Sequence, residues 1–535
     1  MILLALVLAA AEPGGCPITL TDVAAESGLT FAHERGATPE RRLPETVGAG
    51  LAWLDYDNDG WLDLYVVQSG PFPPTGSPKA QDRLFHNEHG RFTDVTAKAG
   101  LSDTRYGMGA IAADYDNDGW VDLLVTNYGG VTLYHNEGNG TFRDVTEKAG
   151  LRGPRWATSA AWADIDGDGD LDLYVAGYVD DSRDKDMFCG DPVTGARMYC
   201  PPIMYPGSVG VLYRNNGDGT FTDITRQAGL SHAVGKGLGV VFVDVDLDGK
   251  PDLYVANDEV MNFLFHNLGG GRFEDISVAS GTAFGLEGNP QGGMGTDAGD
   301  LDGDGLPDLV VANYEGETNE YYRNLGSGIF EDLSVSSGFA GTTLTHVGFG
   351  LNLLDLDSDG DLDAFIANGH IFDNPRRQGT TYAQRAFLMW NDGTGHFRER
   401  ACGPAFDREF VGRGSAVADY DNDGDPDIAV SSSGMALQLL RNDGPKVNWL
   451  GVELAGTKSN RRGIGARLVA ETASGRKLTR FVHAGNSYLS SSDPRVLFGL
   501  GPETSVKALT VYWPSGKVQI VNAPPVGRYV KVTEE

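Results

Sequence analysis

The chain has 535 residues, with 74 Asp and Glu against 42 Lys and Arg, a formal charge of -32 and a pI near 4.6. A surface of that sign repels nucleic acid and anionic lipid and attracts cations, so nucleic acid is excluded as a partner. The chain is too long for one ordinary core, and its 41% hydrophobic residues and 74 glycines describe a folded protein rich in tight turns rather than a disordered acidic tail.

In chain order, residues 1–16 read as a leader. The run Met1 to Ala11 is apolar and ends in small residues, as the central region of a secretory signal does, with cleavage expected after Ala11; it is too short to span a bilayer. The expected location is secreted, periplasmic or cell-surface. Gly15-Cys16 is a poor imitation of a lipid-modified cysteine site, and lipid attachment at Cys16 is the one route to a membrane.

From residue 17 to 444 one pattern, D-x-D-x-D-G-x-x-D, recurs seven times at spacings of 50 to 80 residues. The period fits one four-stranded propeller blade per repeat. Upstream of each loop, six copies end a G-x-G pair, as in Gly107-Met108-Gly109, which marks an inner strand crowded near the axis. Downstream come an apolar strand such as Leu64 to Val67, a third strand ending in Asn (Tyr134-His135-Asn136, Tyr213-Arg214-Asn215, Phe265-His266-Asn267) and a Gly-rich turn into a fourth strand like Phe221 to Thr225. The seventh repeat lacks its fourth strand, and Ile18 to Leu29 carries that missing pattern. The expected fold is therefore all-β: a seven-bladed β-propeller closed by the N-terminal strand, which removes two open sheet edges, followed by a small separate β-sandwich-like domain over residues 445–535.

The loops carry the chemistry. Carboxylates at positions 1, 3, 5 and 9 with Gly at 6 make a hard, all-oxygen donor set that suits calcium, up to seven ions. The candidate ligands are Asp55, Asp57, Asp59 and Asp63; Asp114, Asp116, Asp118 and Asp122; Asp164, Asp166, Asp168 and Asp172; Asp244, Asp246, Asp248 and Asp252; Asp300, Asp302, Asp304 and Asp308; Asp355, Asp357, Asp359 and Asp363; and Asp419, Asp421, Asp423 and Asp427. Two carboxylates about 4 Å apart repel by roughly 4 kcal/mol at an effective dielectric of about 20, so four in one loop call for a cation. Lys250 at position 7 makes the fourth loop the least favourable. Cys189 and Cys200 flank one Pro- and Gly-rich loop and are the disulfide candidate; the pairing of Cys16 and Cys402 stays open.

The G-x-G, D-x-D-x-D-G-x-x-D and N-x-G-x-G-x-F-x-D-V-T strings resemble FG-GAP/VCBS repeats, as in integrin α-chain propellers. Gly456 to Asn460, Gly463 to Ala466, Phe498 to Gly501 and Trp513 to Gly516 resemble the ASPIC/UnbV domain. Together they have the order of the cartilage acidic protein family, and the resemblance implies a secreted calcium-binding propeller of adhesion type with no settled activity.

Insertions at 68–82, 177–208, 282–292 and 368–385 fall on the blade end opposite the Asp loops, where a partner is expected. Tyr178, Tyr199, Tyr205, His370, Arg376, Arg377 and Tyr382 are its candidate contacts, for an extracellular protein or a surface glycan. The alternative is a calcium-dependent carbohydrate-active enzyme, a polysaccharide lyase or hydrolase, on the same face. The sequence contains no G-x-S-x-G, H-E-x-x-H or C-x-x-C motif, and no catalytic residue is assigned.

Overall fold

A computed structural model describes residues 16–72, 81–182, 187–341, 343–373 and 379–535. The expected leader lies outside it except for Cys16, as do Arg376 and Arg377.

Seven four-stranded antiparallel sheets form the larger body. The first comprises Leu51–Leu54, Asp63–Val66, Arg83–Glu88 and Arg91–Asp94 in sequential order. The last comprises Gly412–Ala418, Asp427–Ser432 and Gln438–Asn442, completed by Leu20–Asp22 from the N-terminal end, with Thr21 opposite Arg441. The first strand of each sheet abuts the first strand of the next, and the seventh returns to the first. Cys16 is bonded to Cys402, which pins the completing strand and leaves that sulfur no valence for a lipid. Cys189 is bonded to Cys200.

The inner strands read G-x-G because there is no room for side chains. A Cβ on Gly295 would lie 2.1 Å from Phe349 O of the next blade. The Asn that ends each third strand has a second task, joining blades. Asn136 Nδ2 donates to Val121 O of its own loop at 3.0 Å and to Tyr56 O of the preceding blade at 2.8 Å. Asn87, Asn215, Asn267, Asn324 and Asn391 make the same pair of bonds, with Asn87 reaching Tyr420 O of the seventh blade. Each would otherwise leave two buried carbonyls without donors.

The C-terminal region is two facing sheets. One orders Val496–Gly501, Asn448–Ala455 and Tyr529–Thr533; the other orders Lys477–Phe481, Arg467–Thr472, Val506–Tyr512 and Val518–Asn522. Leu450, Val452, Leu468, Phe498, Leu509 and Val511 fill the space between them.

This domain also reaches into the larger body. Its segment 482–492 enters the central channel and pairs with the blades' inner strands. Trp162 N donates to Ala484 O, Ala110 N to Leu489 O, Thr296 N to Ser487 O and Trp53 N to Ser491 O. Gly50 admits this segment, since a Cβ there would lie 1.8 Å from Leu489 O. Fully buried Tyr488 reaches through to the short helix Pro44–Val47, which enters from the opposite face, and its hydroxyl donates to Val47 O at 3.0 Å. The channel is filled from both ends.

Candidate functional site

Each Asp loop is a turn folded around its own first carboxylate. In the first, Asp55 Oδ1 accepts from Asp59 N and Oδ2 from Gly60 N, both at 3.1 Å, while Asp59 Oδ1 accepts from Trp61 N at 2.8 Å. Position 7 therefore contributes backbone, which is why its side chain varies. Asp63 ties the loop's end to the blade: Oδ2 accepts from Tyr56 N at 3.1 Å and Oδ1 from Asn87 N at 2.8 Å. The same bracing recurs at Asp122, Asp172, Asp252, Asp308 and Asp363.

Donor oxygens converge in these loops. Asp55, Asp57 and Asp63 present carboxylate oxygens within 4.8 Å of one another, as do Asp114, Asp116 and Asp118. Burial pushes Asp55 and Asp114 up to about 6, Asp63 and Asp122 up to about 7 and Asp172 up to about 8, with hydrogen bonds pulling the other way. Asp57 Oδ1, Asp166 Oδ1, Asp355 Oδ1, Asp421 Oδ1 and Asp427 Oδ2 are buried with no hydrogen-bond partner. Orphaned carboxylate oxygens in a cluster of raised pKa are what a hard divalent cation satisfies, so the residues fit calcium.

Basic side chains at the loop mouths are the feature that sequence reasoning missed. In the first, second, fourth and fifth blades the residue before the third-strand Asn points into the loop. His86 Nδ1 lies 3.0 Å from Asp63 Oδ1, His266 Nδ1 lies 3.0 Å from Asp252 Oδ1, and Arg323 Nε lies 2.5 Å from Asp302 Oδ2. The strings Tyr134-His135-Asn136 and Tyr213-Arg214-Asn215 already carried that signal. Lys250 pairs with Asp248 at the mouth of the fourth loop.

The second missed set comes from the C-terminal domain, which covers the Asp-loop face. Arg480 Nη2 lies 3.3 Å from Asp355 Oδ2, Tyr529 Oη donates to Asp419 Oδ2 at 3.0 Å, Arg476 pairs with Asp361, and Arg461 N donates to Asn117 Oδ1 at 2.9 Å. Residues 445–535 carry 13 Lys and Arg against 6 Asp and Glu; that excess on an otherwise acidic chain was the legible sign of docking. Within the domain, Glu534 accepts from the backbone N–H of Thr457, Lys458 and Ser459, each at 2.8 Å, and from Ser515 Oγ. It thereby joins two of the motifs that marked this region.

On the opposite face the insertions meet one another and the segment before the first blade. Arg41 Nη1 lies 2.5 Å from Asp373 Oδ2 and Arg35 Nη1 donates to Tyr382 Oη at 2.5 Å. Here several expected contacts are corrected. Tyr199, Tyr205 and His370 are buried, not presented to a partner: Tyr199 Oη donates to Glu45 Oε2 at 3.1 Å, and His370 Nε2 faces Glu315 Oε1 at 3.4 Å. Tyr178 is also buried, its hydroxyl donating to Asp258 Oδ2 at 2.5 Å, but its ring lines a cavity. Tyr382 is half-buried. Insertion length showed where the loops lie and not how they pack: rings in a long insertion bury themselves for the same apolar gain as any core residue.

Comparison with known proteins agrees with this architecture. The family described as FG-GAP-like repeat matches six stretches, 55–125, 114–175, 180–255, 244–311, 300–366 and 355–430, and the ASPIC and UnbV family matches residues 456–535. Cartilage acidic protein 1 of Homo sapiens is 29% identical over 304 residues, 55% of this chain and 43% of that protein; its Mus musculus and Xenopus tropicalis counterparts are 29% and 28% identical. The chain thus spans less than half the length of these relatives. Among solved structures, an Agrocybe aegerita lectin that recognises non-reducing terminal N-acetylglucosamine is 17% identical over 72% of this chain and 86% of that one, with a TM-score of 0.39. The exotype rhamnogalacturonan lyase YesX is 14% identical over 91% of this chain and 90% of that one, with a TM-score of 0.31.

Proposed function

The chain belongs to the FG-GAP-like repeat proteins that end in an ASPIC and UnbV domain, and from that premise we propose that it is a secreted, calcium-loaded binding module of adhesion type. Its partner is an extracellular protein or a surface glycan, held on the insertion face. The observation that carries this reading is the division of the two faces: one holds the Asp loops beneath the C-terminal domain, while the other gathers the insertions on the far side of a filled channel. Two disulfides fit an oxidising compartment.

Calcium would be held by the position 1, 3, 5 and 9 carboxylates and would supply fixed positive charge. Seven ions would take the formal charge from -32 to -18. With free calcium at about ten times the dissociation constant, each independent site adds roughly 1.4 kcal/mol, a total comparable with the stability of a typical domain. The test is thermal unfolding with excess chelator and with millimolar calcium, counting ions in the same preparation. A large upward shift with about seven ions is expected; no bound calcium and no shift would sink the reading.

The enzyme alternative draws on one observation, an acidic cavity on the insertion face containing Asp258, Glu259 and Glu317. At about 150 Å3 it has the volume of a site that admits a benzene ring, too small for the several sugar rings a polysaccharide-cleaving cleft must hold. A binding role is the better account.

A further inference from the structure

The cavity lies on the insertion face between the third to sixth blades, with the tip of the channel-filling segment at its base. Five rings line it: Tyr178, Tyr314, Phe349, Phe372 and Tyr488. Its charged lining groups, among the described residues, are all acids. Asp258 accepts from Tyr178 Oη at 2.5 Å and Glu317 from Gly292 N at 2.7 Å. Glu259, with a third of its side chain exposed, has a buried Oε2 without a hydrogen bond. Lys236 Nζ forms a long ion pair with it at 3.8 Å and also donates to Pro202 O at 3.0 Å. Arg413 stands behind Phe349, 3.9 Å from the ring centroid, and gives its N–H groups to the carbonyls of Thr46, Gly369, Gly412 and His370. Three carboxylates therefore face one small aromatic space with a single ammonium at its edge.

We infer that this cavity takes one organic cation, the ammonium or guanidinium head of a lysine or arginine side chain presented by a partner protein. Ring faces attract a cation by their quadrupole, more strongly where water is excluded. The carboxylates supply the opposite charge, and burial, which pushes Asp258 up to about 7, makes an incoming cation the group that best relieves them. A neutral sugar of the same size would offer hydroxyl donors to those carboxylates but no charge to offset theirs. The inference rests on the binding-module reading and narrows it from a protein or glycan to a protein with a basic anchor.

The test uses the full chain in millimolar calcium, with n-butylammonium, n-butylguanidinium and the neutral n-pentanol as probes, and reads binding by NMR titration. The cations are expected to bind at least about tenfold more tightly than pentanol, a difference of about 1.4 kcal/mol. Glu317→Gln and Asp258→Asn keep an acceptor for Gly292 N and Tyr178 Oη, so each should weaken cation binding at least about tenfold at an unchanged unfolding temperature. Equal affinity for pentanol, no detectable binding of either cation, or unaltered affinity in both variants overturns the inference. Should the variants not fold, the pentanol comparison on the unmodified protein decides. Loss of cation binding beside intact calcium-dependent stability sinks this inference alone; absence of calcium stabilisation sinks the reading beneath it.

Discussion

The residue with the largest structural consequence for its size is the third-strand Asn. Asn136 is fully buried, donates to carbonyls on two blades and accepts from Gly138 N at 3.1 Å. Removing it strands two buried carbonyls, each costing about 1 to 3 kcal/mol. Asn136→Ala is expected to lower stability by about 3 kcal/mol in urea unfolding, with an unchanged dependence on denaturant. Asn216→Ala, one residue beyond the equivalent Asn in the next blade and exposed, should change it by less than about 0.5 kcal/mol. Equal effects would show that the blades are held by apolar packing and not by these bonds.

At the scale of elements, the channel-filling segment is what turns two bodies into one. Tyr488 packs edge-on to Phe349, with ring centroids 5.0 Å apart, and bonds to Val47 O. Tyr488→Ala empties the middle of the channel and should cost about 3 to 5 kcal/mol, as large-to-small substitutions of buried aromatics do. Tyr488→Phe removes only the hydroxyl and should cost about 1 kcal/mol. Urea unfolding of the two variants separates packing from the hydrogen bond. This element also marks the limit of what the sequence discloses. The Asp loops and the four-strand meander are readable because their partners lie within a few residues: Asp55 bonds to Asp59 and Gly60. The Asn136 to Tyr56 bond spans 80 residues, and Tyr488 lies more than 400 residues from Val47. No local pattern encodes such a pairing. The apolar residues of the insertions are visible in the sequence and their burial is not, which is why sequence alone puts Tyr199 and Tyr205 at the surface; charge composition, in contrast, survives distance and does mark the C-terminal domain as the acidic body's complement.

Across the whole molecule the loops act together through charge. The position 9 carboxylates are the most buried, Asp63, Asp122, Asp252 and Asp308 being wholly so. Burial pushes Asp63, Asp122 and Asp252 up to about 7 and Asp308 well above the ordinary carboxylate range. Such groups bind more protons folded than unfolded. Stability without a cation is therefore highest below about pH 4, where both states are protonated, and falls as pH rises from there through about 7. A tenfold difference in proton affinity between the folded and unfolded chain is worth about 1.4 kcal/mol, and that much in each of seven loops would amount to about 10 kcal/mol, enough to unfold a typical domain. Calcium bound in the loops, as proposed, would substitute fixed positive charge for those protons, so its binding would release protons and its stabilising effect would grow with pH. Chelated protein is accordingly expected to melt at progressively lower temperature between about pH 5 and 8, while protein in millimolar calcium holds nearly constant over that range. Parallel curves with and without calcium would mean that the loops keep their charge by another route, with Arg323 and the C-terminal arginines acting as the counter-ions and the cation dispensable.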